Sequence, residues 1–263
     1  SSAASSSAEA SSSAAAPSSP AATGTVSSSS PSAGAALEDP KNTAYAAWHE
    51  VGTVNAITVS RPVQRSALMN GQTFPIGNNA YTHLYSLIFC NFGCAPHEFS
   101  GPTADGPLSK LSGTPDVPGA LTWQITTEGL YPMGKPDDVY AGEVLFTTAM
   151  YGGAPNRFAS SGFTPVDLGS LITHDIVAYK VPSTWPDPSY SNLGELHLFL
   201  TSTPLPAGLT PADGHKVDLY SPLGMLLYDN GYPLDGTSLA VPRLENIGDF
   251  RWAIAEKGLW PEQ

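Results

Sequence analysis

Leu193-Gly-Glu-Leu-His-Leu-Phe-Leu-Thr-Ser-Thr-Pro-Leu205 places Leu196, Leu198 and Leu200 on one side and Glu195, His197 and Phe199 on the other. A period of two is the signature of a strand, so Glu195 to Thr203 is read as one. Working outward, Val51 to Val59 alternates in the same way. Ala120 to Thr127, Glu143 to Met150 and Ser170 to Val181 are further β-rich stretches. Tyr81 to Phe92 is aromatic and aliphatic throughout and reads as a central strand covered on both faces. Loops are expected at Pro115–Gly119 and Pro132–Pro136. Asp229-Asn-Gly231 is the strongest hairpin signal, with a second turn at Asp235-Gly236. One helix is expected, Asp249 to Lys257, where Phe250, Ile254 and Lys257 share a face and Gly258 stops it. The outcome is an all-β fold, an eight-stranded antiparallel jelly-roll sandwich with long loops.

Composition agrees. The chain has 263 residues with 25 Gly and 25 Pro, a density that interrupts long helices. No window approaches the roughly 18 apolar residues of a membrane span, so none is expected. Charged residues make up 13 %, against about a quarter in an ordinary soluble domain, so a surface covered by other subunits is one expectation. The net charge of −12 argues against a protein that grips nucleic acid through a basic patch.

Residues 1–37 hold 15 Ser, 12 Ala and 3 Pro, with Glu9 the single charge. Such a segment has little to bury and is read as a flexible or extended N-terminal arm, leaving residues 38–263 for the jelly-roll domain and a C-terminal extension. With Ser1 and Gln263 at its ends, the chain resembles a segment cut from a polyprotein by a viral protease specific for Gln-Ser or Gln-Gly bonds, and such an origin is an expectation.

The residues assemble no catalytic motif by sequence: there is no Gly-x-Ser-x-Gly, Gly-x-x-x-x-Gly-Lys, Gly-x-Gly-x-x-Gly or His-Glu-x-x-His. No enzyme activity and no cofactor are expected. His83 and His197 lie in apolar stretches and read as satisfied strand residues. His49-Glu50 and His97-Glu98 point to opposite faces of an extended chain, so neither pair alone makes a metal site. Among the acids Asp137, Asp138, Glu143 and Asp175, nothing selects a pair for glycoside chemistry. Asp137 and Asp138 are candidate oxygen ligands for calcium at a subunit contact, and otherwise solvated turn carboxylates. Cys90 and Cys94 are expected to be free thiols, with a bridge as the alternative.

Val51-Gly-Thr-Val-Asn-Ala-Ile-Thr-Val-Ser-Arg-Pro-Val-Gln-Arg65 resembles the stretch near the start of the jelly roll in capsid proteins of picorna-like viruses, where a Gly and alternating aliphatic residues lead to an Arg and a second basic residue. Here Thr53 stands where an acidic residue is common and Pro62 where an aliphatic one is usual. Leu193–Leu205 is similar to the last jelly-roll strand of small icosahedral capsid proteins, with its opening Gly and closing Pro. The resemblance implies a coat subunit that assembles with related jelly rolls, resides in the virion and in the host cytoplasm during assembly, encloses RNA with sparse contact and offers a surface to a host receptor. Arg61 and Arg65 are the candidate nucleic-acid contacts.

Two other readings stand beside it. The Ser, Ala and Pro content is similar to proline-alanine-serine-rich proteins that coat genomes of double-stranded RNA mycoviruses. A secreted carbohydrate-binding sandwich on a mucin-like stalk would use Trp48, Trp123, Trp185, Trp252 or Trp260 to stack on sugars.

Overall fold

The computed structural model describes residues 49–104, 121–129, 131, 136, 138–148, 158–169, 176–188 and 191–261. The arm at 1–37, the loop at 115–119, most of that at 132–136, and Asp137 and Asp175 lie outside the described residues. Within them the fold is all-β, antiparallel and sandwich-like, as the alternating stretches imply, with nine strands in one curled sheet and three in each of two small ones.

The strands fall into three successive groups. The first is β1 (Thr53–Ile57), β2 (Ser66–Leu68), an inserted unit of β3 (Thr73–Pro75), α1 (Thr82–Ile88), β4 (Cys94–Ala95) and β5 (Glu98–Ser100), and then β6 (Thr122–Thr126). The second is β7 (Glu143–Thr148), β8 (Thr164–Val166) and β9 (Ile176–Lys180). The third is β10 (Glu195–Leu200), β11 (Leu209–Pro211), an insert of β12 (Lys216–Asp218), α2 (Pro222–Asp229), β13 (Leu234–Asp235) and β14 (Ser238–Ala240), and then β15 (Phe250–Ala255).

The first strands of the groups meet at a three-way junction. β1 pairs Thr53 and Val54 with Thr147 and Phe146 of β7, and Ala56 and Ile57 with Leu196 and Glu195 of β10. β7 and β10 close the triangle through Val144↔Leu198 and Glu143↔Phe199. Each strand therefore gives one half to each neighbour, and Asn55, Leu145 and His197 mark the points of exchange. On its outer side each is flanked by the last strand of its group, β6, β9 or β15, which in turn carries β2, β8 or β11. The order within a group, inner then edge then middle strand, repeats three times.

One local device begins all three inner strands. Gly52, Gly142 and Gly194 have φ of +86°, +78° and +77°, the left-handed conformation that side chains resist. Beside each glycine the next amide donates three residues back, Thr53 to Glu50, Glu143 to Tyr140 and Glu195 to Asn192. The two inserts repeat as well: Phe74↔Phe99 and Cys94↔Phe99 in one correspond to Val217↔Leu239 and Leu234↔Leu239 in the other. Phe99 and Leu239 are both fully buried.

Leu196, Leu198, Val144, Phe146, Val54 and Ala56 turn one face of the junction into the main core. Trp123 of β6 and Trp252 of β15 pack edge-on at 6.0 Å, each also against Phe146. Edge-to-face aromatic pairs add about 0.5–1.5 kcal/mol beyond the area they bury. The opposite face carries two smaller apolar clusters, one around Leu145, Phe158 and Tyr179, the other around Tyr140, Phe199 and Ala253.

Several sequence expectations are corrected. Tyr81–Phe92 is α1 and the turn after it, because Leu84, Leu87 and Ile88 bury one helical face; a short continuous apolar run does not distinguish a buried strand from a buried helix. Asp249–Lys257 is not a helix but β15, whose Trp252 and Ile254 face the main core while Ala253 and Ala255 face the other side. With both faces apolar, its period of two is hidden. Asp229-Asn-Gly231 is not a hairpin but the end of α2: Tyr232 N donates to Leu227 O and Gly231 N to Tyr228 O, with Gly231 at φ +85°. That is a Schellman stop, which uses the same Asn-Gly chemistry as a hairpin. Ser221 caps the other end, its hydroxyl accepting from Gly224 N, and Pro222 fills the first turn. Asp235-Gly236 does form the β13–β14 turn. The chain beyond Leu205 supplies β11 and β15 to the main sheet. Cys90 and Cys94 are joined in a disulfide across the turn after α1.

Candidate functional site: a buried histidine–carboxylate network

The Gly-led turns position the polar groups. Because Glu143 and Glu195 are first in their strands, each carboxylate reaches back to its own turn: Glu143 Oε2 accepts from Tyr140 N at 2.8 Å and Glu195 Oε2 from Asn192 N at 3.2 Å. Their other oxygens face imidazoles. His197 Nδ1 donates to Glu143 Oε1 at 2.7 Å, and His49 Nε2 lies 3.6 Å from Glu195 Oε1. On its other side His49 Nδ1 is hydrogen-bonded to Asp138 Oδ2. Asn192 Nδ2 stands 3.1 Å from both His49 Nε2 and Glu195 Oε2. The Tyr140 ring meets His197 edge-on at 5.1 Å. All these residues are less than a tenth exposed.

Burial of this kind requires partners, since an unpaired buried charge costs several kcal/mol. Burial alone would strip the proton from His49. Glu195 and Asp138, with the Asp138 hydrogen bond and Glu143 behind them, outweigh it and push the ring up to about 9. His197 is raised from its ordinary value in the same way, burial opposing and Glu143 prevailing. Burial also holds the Tyr140 hydroxyl protonated, up to about 12. A neutral His49 with its proton on Nδ1 accepts from Asn192 at Nε2, whereas the charged ring directs its Nε2 proton toward Glu195.

Ser191, His197 and Glu143 have the connectivity of an acyl-transfer triad, with Ser191 Oγ 3.5 Å from His197 Nε2. The surroundings differ from those of a nucleophile. Ser191 is 5 % exposed and its hydroxyl donates to the Asn192 carbonyl. The enclosed space at the junction, lined by this network and by main-core residues such as Trp123 and Trp252, is about 10 Å³, the room of one water.

The structure separates the residues singled out from sequence. Asp138 is not a solvated turn carboxylate; it is buried against His49, and Asp137 lies outside the described residues. No group of three or more His, Cys, Asp or Glu among the described residues is arranged to hold a metal ion. His83 sits in α1 and not a strand, its ring edge-on to Tyr131. His49 precedes the turn at Val51–Gly52 and Glu50 opens it from a β-bridge, and both are buried. Arg61 borders an open groove of about 620 Å³ with Trp260 and Asp229. Its backbone is pinned by two buried amides, Asn230 Oδ1 accepting from Ser60 N and Gln124 Nε2 donating to Arg61 O. Arg65 has φ +66°, and its carbonyl accepts from Thr127 N and Glu128 N. The two arginines thus belong to different settings. His49, Asn192 and Glu195 were missed as site residues; the available signal was the repeated Gly-Glu at 142–143 and 194–195 opening two alternating strands.

No helix among the described residues is long and apolar enough to cross a membrane. Compared with known proteins, the chain matches no family model, no curated protein and no solved structure.

Proposed function

We propose that this chain is a non-enzymatic structural subunit of an icosahedral viral capsid of the picorna-like kind, assembling with related subunits around an RNA genome. The observation that carries the reading is apolar surface on the two inserts. Phe89, at the end of α1, is 47 % exposed, and Tyr228, near the end of α2, is 54 % exposed. They occupy matching places in Leu87-Ile-Phe-Cys-Asn91 and Leu226-Leu-Tyr-Asp-Asn230. Tyr220 and Leu234 add 77 % and 45 % exposure beside α2. Large apolar groups displayed on a charge-poor surface are what a subunit buries against neighbours. The −12 charge supports a shell held by protein contacts, with RNA enclosed and Arg61 and Arg65 as sparse contacts.

Of the tryptophans that a carbohydrate-binding surface would use, Trp123 and Trp252 are buried in the core and Trp185 donates its indole N–H to Pro136 O, while Trp260 borders the groove beside Arg61. Sedimentation and negative-stain microscopy of the full chain, alone and with co-expressed sister subunits, test the proposal. Closed particles are expected. A chain that stays monomeric under every condition overturns it.

A further inference from the structure

The histidine–carboxylate network ties together three segments distant in sequence: the turn at His49, the stretch Asp138–Tyr140 and the stretch Ser191–Asn192. Each leads into a different strand of the junction. We propose that this network is a pH-operated latch: with His49 and His197 protonated it clamps the three turns together, and loss of those protons releases them.

The argument is one of charge in a confined space. His49 faces Asp138 on one side and Glu195 with the neutral Asn192 amide on the other, with Glu143 further off. His197 faces Glu143 at Nδ1, Ser191 at Nε2 and the Tyr140 ring, with Glu195 and the like-charged His49 beyond. No Lys or Arg among the described residues forms an ion pair with any of these groups. Two imidazolium rings therefore offset three carboxylates. Once the rings are neutral, three buried carboxylates are left without a counter-charge in a space that holds little water, and opening toward solvent is the available relief. In the second group the position of His197 is taken by Leu145, which packs on Phe158 and Tyr179 and brings no charge.

The direction follows from the raised His49 value. In the unfolded chain the ring loses its proton around 6.5, in the folded chain at about 9. Its stabilising contribution is thus complete below 6.5 and disappears as pH rises through 9. The latch is closed at neutral pH and opens in alkali. This inference does not depend on the capsid reading.

The test uses the full unsubstituted chain. Proton NMR of the histidine rings from about pH 6 to about pH 10 is expected to show the His49 signal holding the charged position through neutrality and the His197 signal leaving it above the ordinary histidine value. Amide exchange over 49–55, 138–143 and 191–195, corrected for its intrinsic pH dependence, is expected to rise up to about a hundredfold between pH 7 and pH 9.5. In His49→Gln most of that rise is lost, the segments exchanging fast at both pH values. A His49 ring that titrates at or below its ordinary value, or exchange in these segments that does not change with pH, overturns the proposal. The ring titration decides even if His49→Gln does not fold.

Discussion

His197 and Glu143, 54 residues apart, meet at 2.7 Å where β10 exchanges its hydrogen bonds from β1 to β7. The pair sits in the seam of the three-strand junction, and each member is supported by the turn of a different group. Its removal therefore perturbs two of the three repeats at once.

Replacing one member leaves the other buried and unpaired, so Glu143→Ala or His197→Ala is expected to cost about 3–5 kcal/mol in chemical denaturation. The internal symmetry supplies the compensating change. Thr53 is the counterpart of Glu143 and Leu145 that of His197, so the double variant Glu143→Thr, His197→Leu is expected to recover most of that loss. Additive losses in the double-mutant cycle would show that the two residues act separately.

The three strand-opening glycines give a graded prediction. Gly142→Ala meets nothing nearer than Thr203 Cγ2 at 3.4 Å and should lose only the left-handed backbone cost, about 1–2 kcal/mol. Gly52→Ala adds an approach of 2.8 Å to Thr148 Oγ1. Gly194→Ala brings its new methyl to 2.3 Å from Thr58 Oγ1 and 2.7 Å from Leu226 Cδ2, so its loss should reach about 3 kcal/mol or more. Denaturation midpoints in any other rank order would contradict the observed turn geometry.

The Cys90–Cys94 bridge closes a short loop beside the exposed Phe89. By loop-closure entropy, Cys90→Ser with Cys94→Ser should lose about 2 kcal/mol, and reduction of the unsubstituted chain should lose a similar amount. Equal melting temperatures with and without reductant would show that the disulfide does not contribute.

Phe89→Ser and Tyr228→Ser test the proposed assembly surface. Both residues are about half exposed, so each change should move monomer stability by less than about 0.5 kcal/mol while reducing particle yield severalfold. Unchanged assembly in the double variant would remove these inserts from the interface. Deletion of residues 1–37 is expected to leave the domain folded and particle yield reduced, because that composition contributes little to a core. Arg61→Ala with Arg65→Ala should lower the RNA content of particles without changing the melting temperature, as read by absorbance ratio.

The sequence by itself determined the β class and the inner strands. Glu195–Leu200 and Glu143–Thr148 show alternation or apolar β-rich character, and Val51–Val59 does the same, because period-two side chains report strands wherever their faces differ. What it did not decide were segments whose local chemistry serves two structures. Tyr81–Phe92 is helix and not strand because a short apolar run fits either, Asp249–Lys257 is strand and not helix because both its faces are apolar, and Asn230-Gly231 ends a helix as readily as it turns a hairpin. The threefold repeat survives in sequence only as Gly-Thr-Val-Asn, Gly-Glu-Val-Leu and Gly-Glu-Leu-His, too little to distinguish from ordinary alternation. Tertiary structure alone decided the candidate site. His49, Asp138, Glu143, Asn192, Glu195 and His197 come from three separate stretches of chain, and only the junction, by making each strand pair with two others, brings their charges within hydrogen-bonding reach.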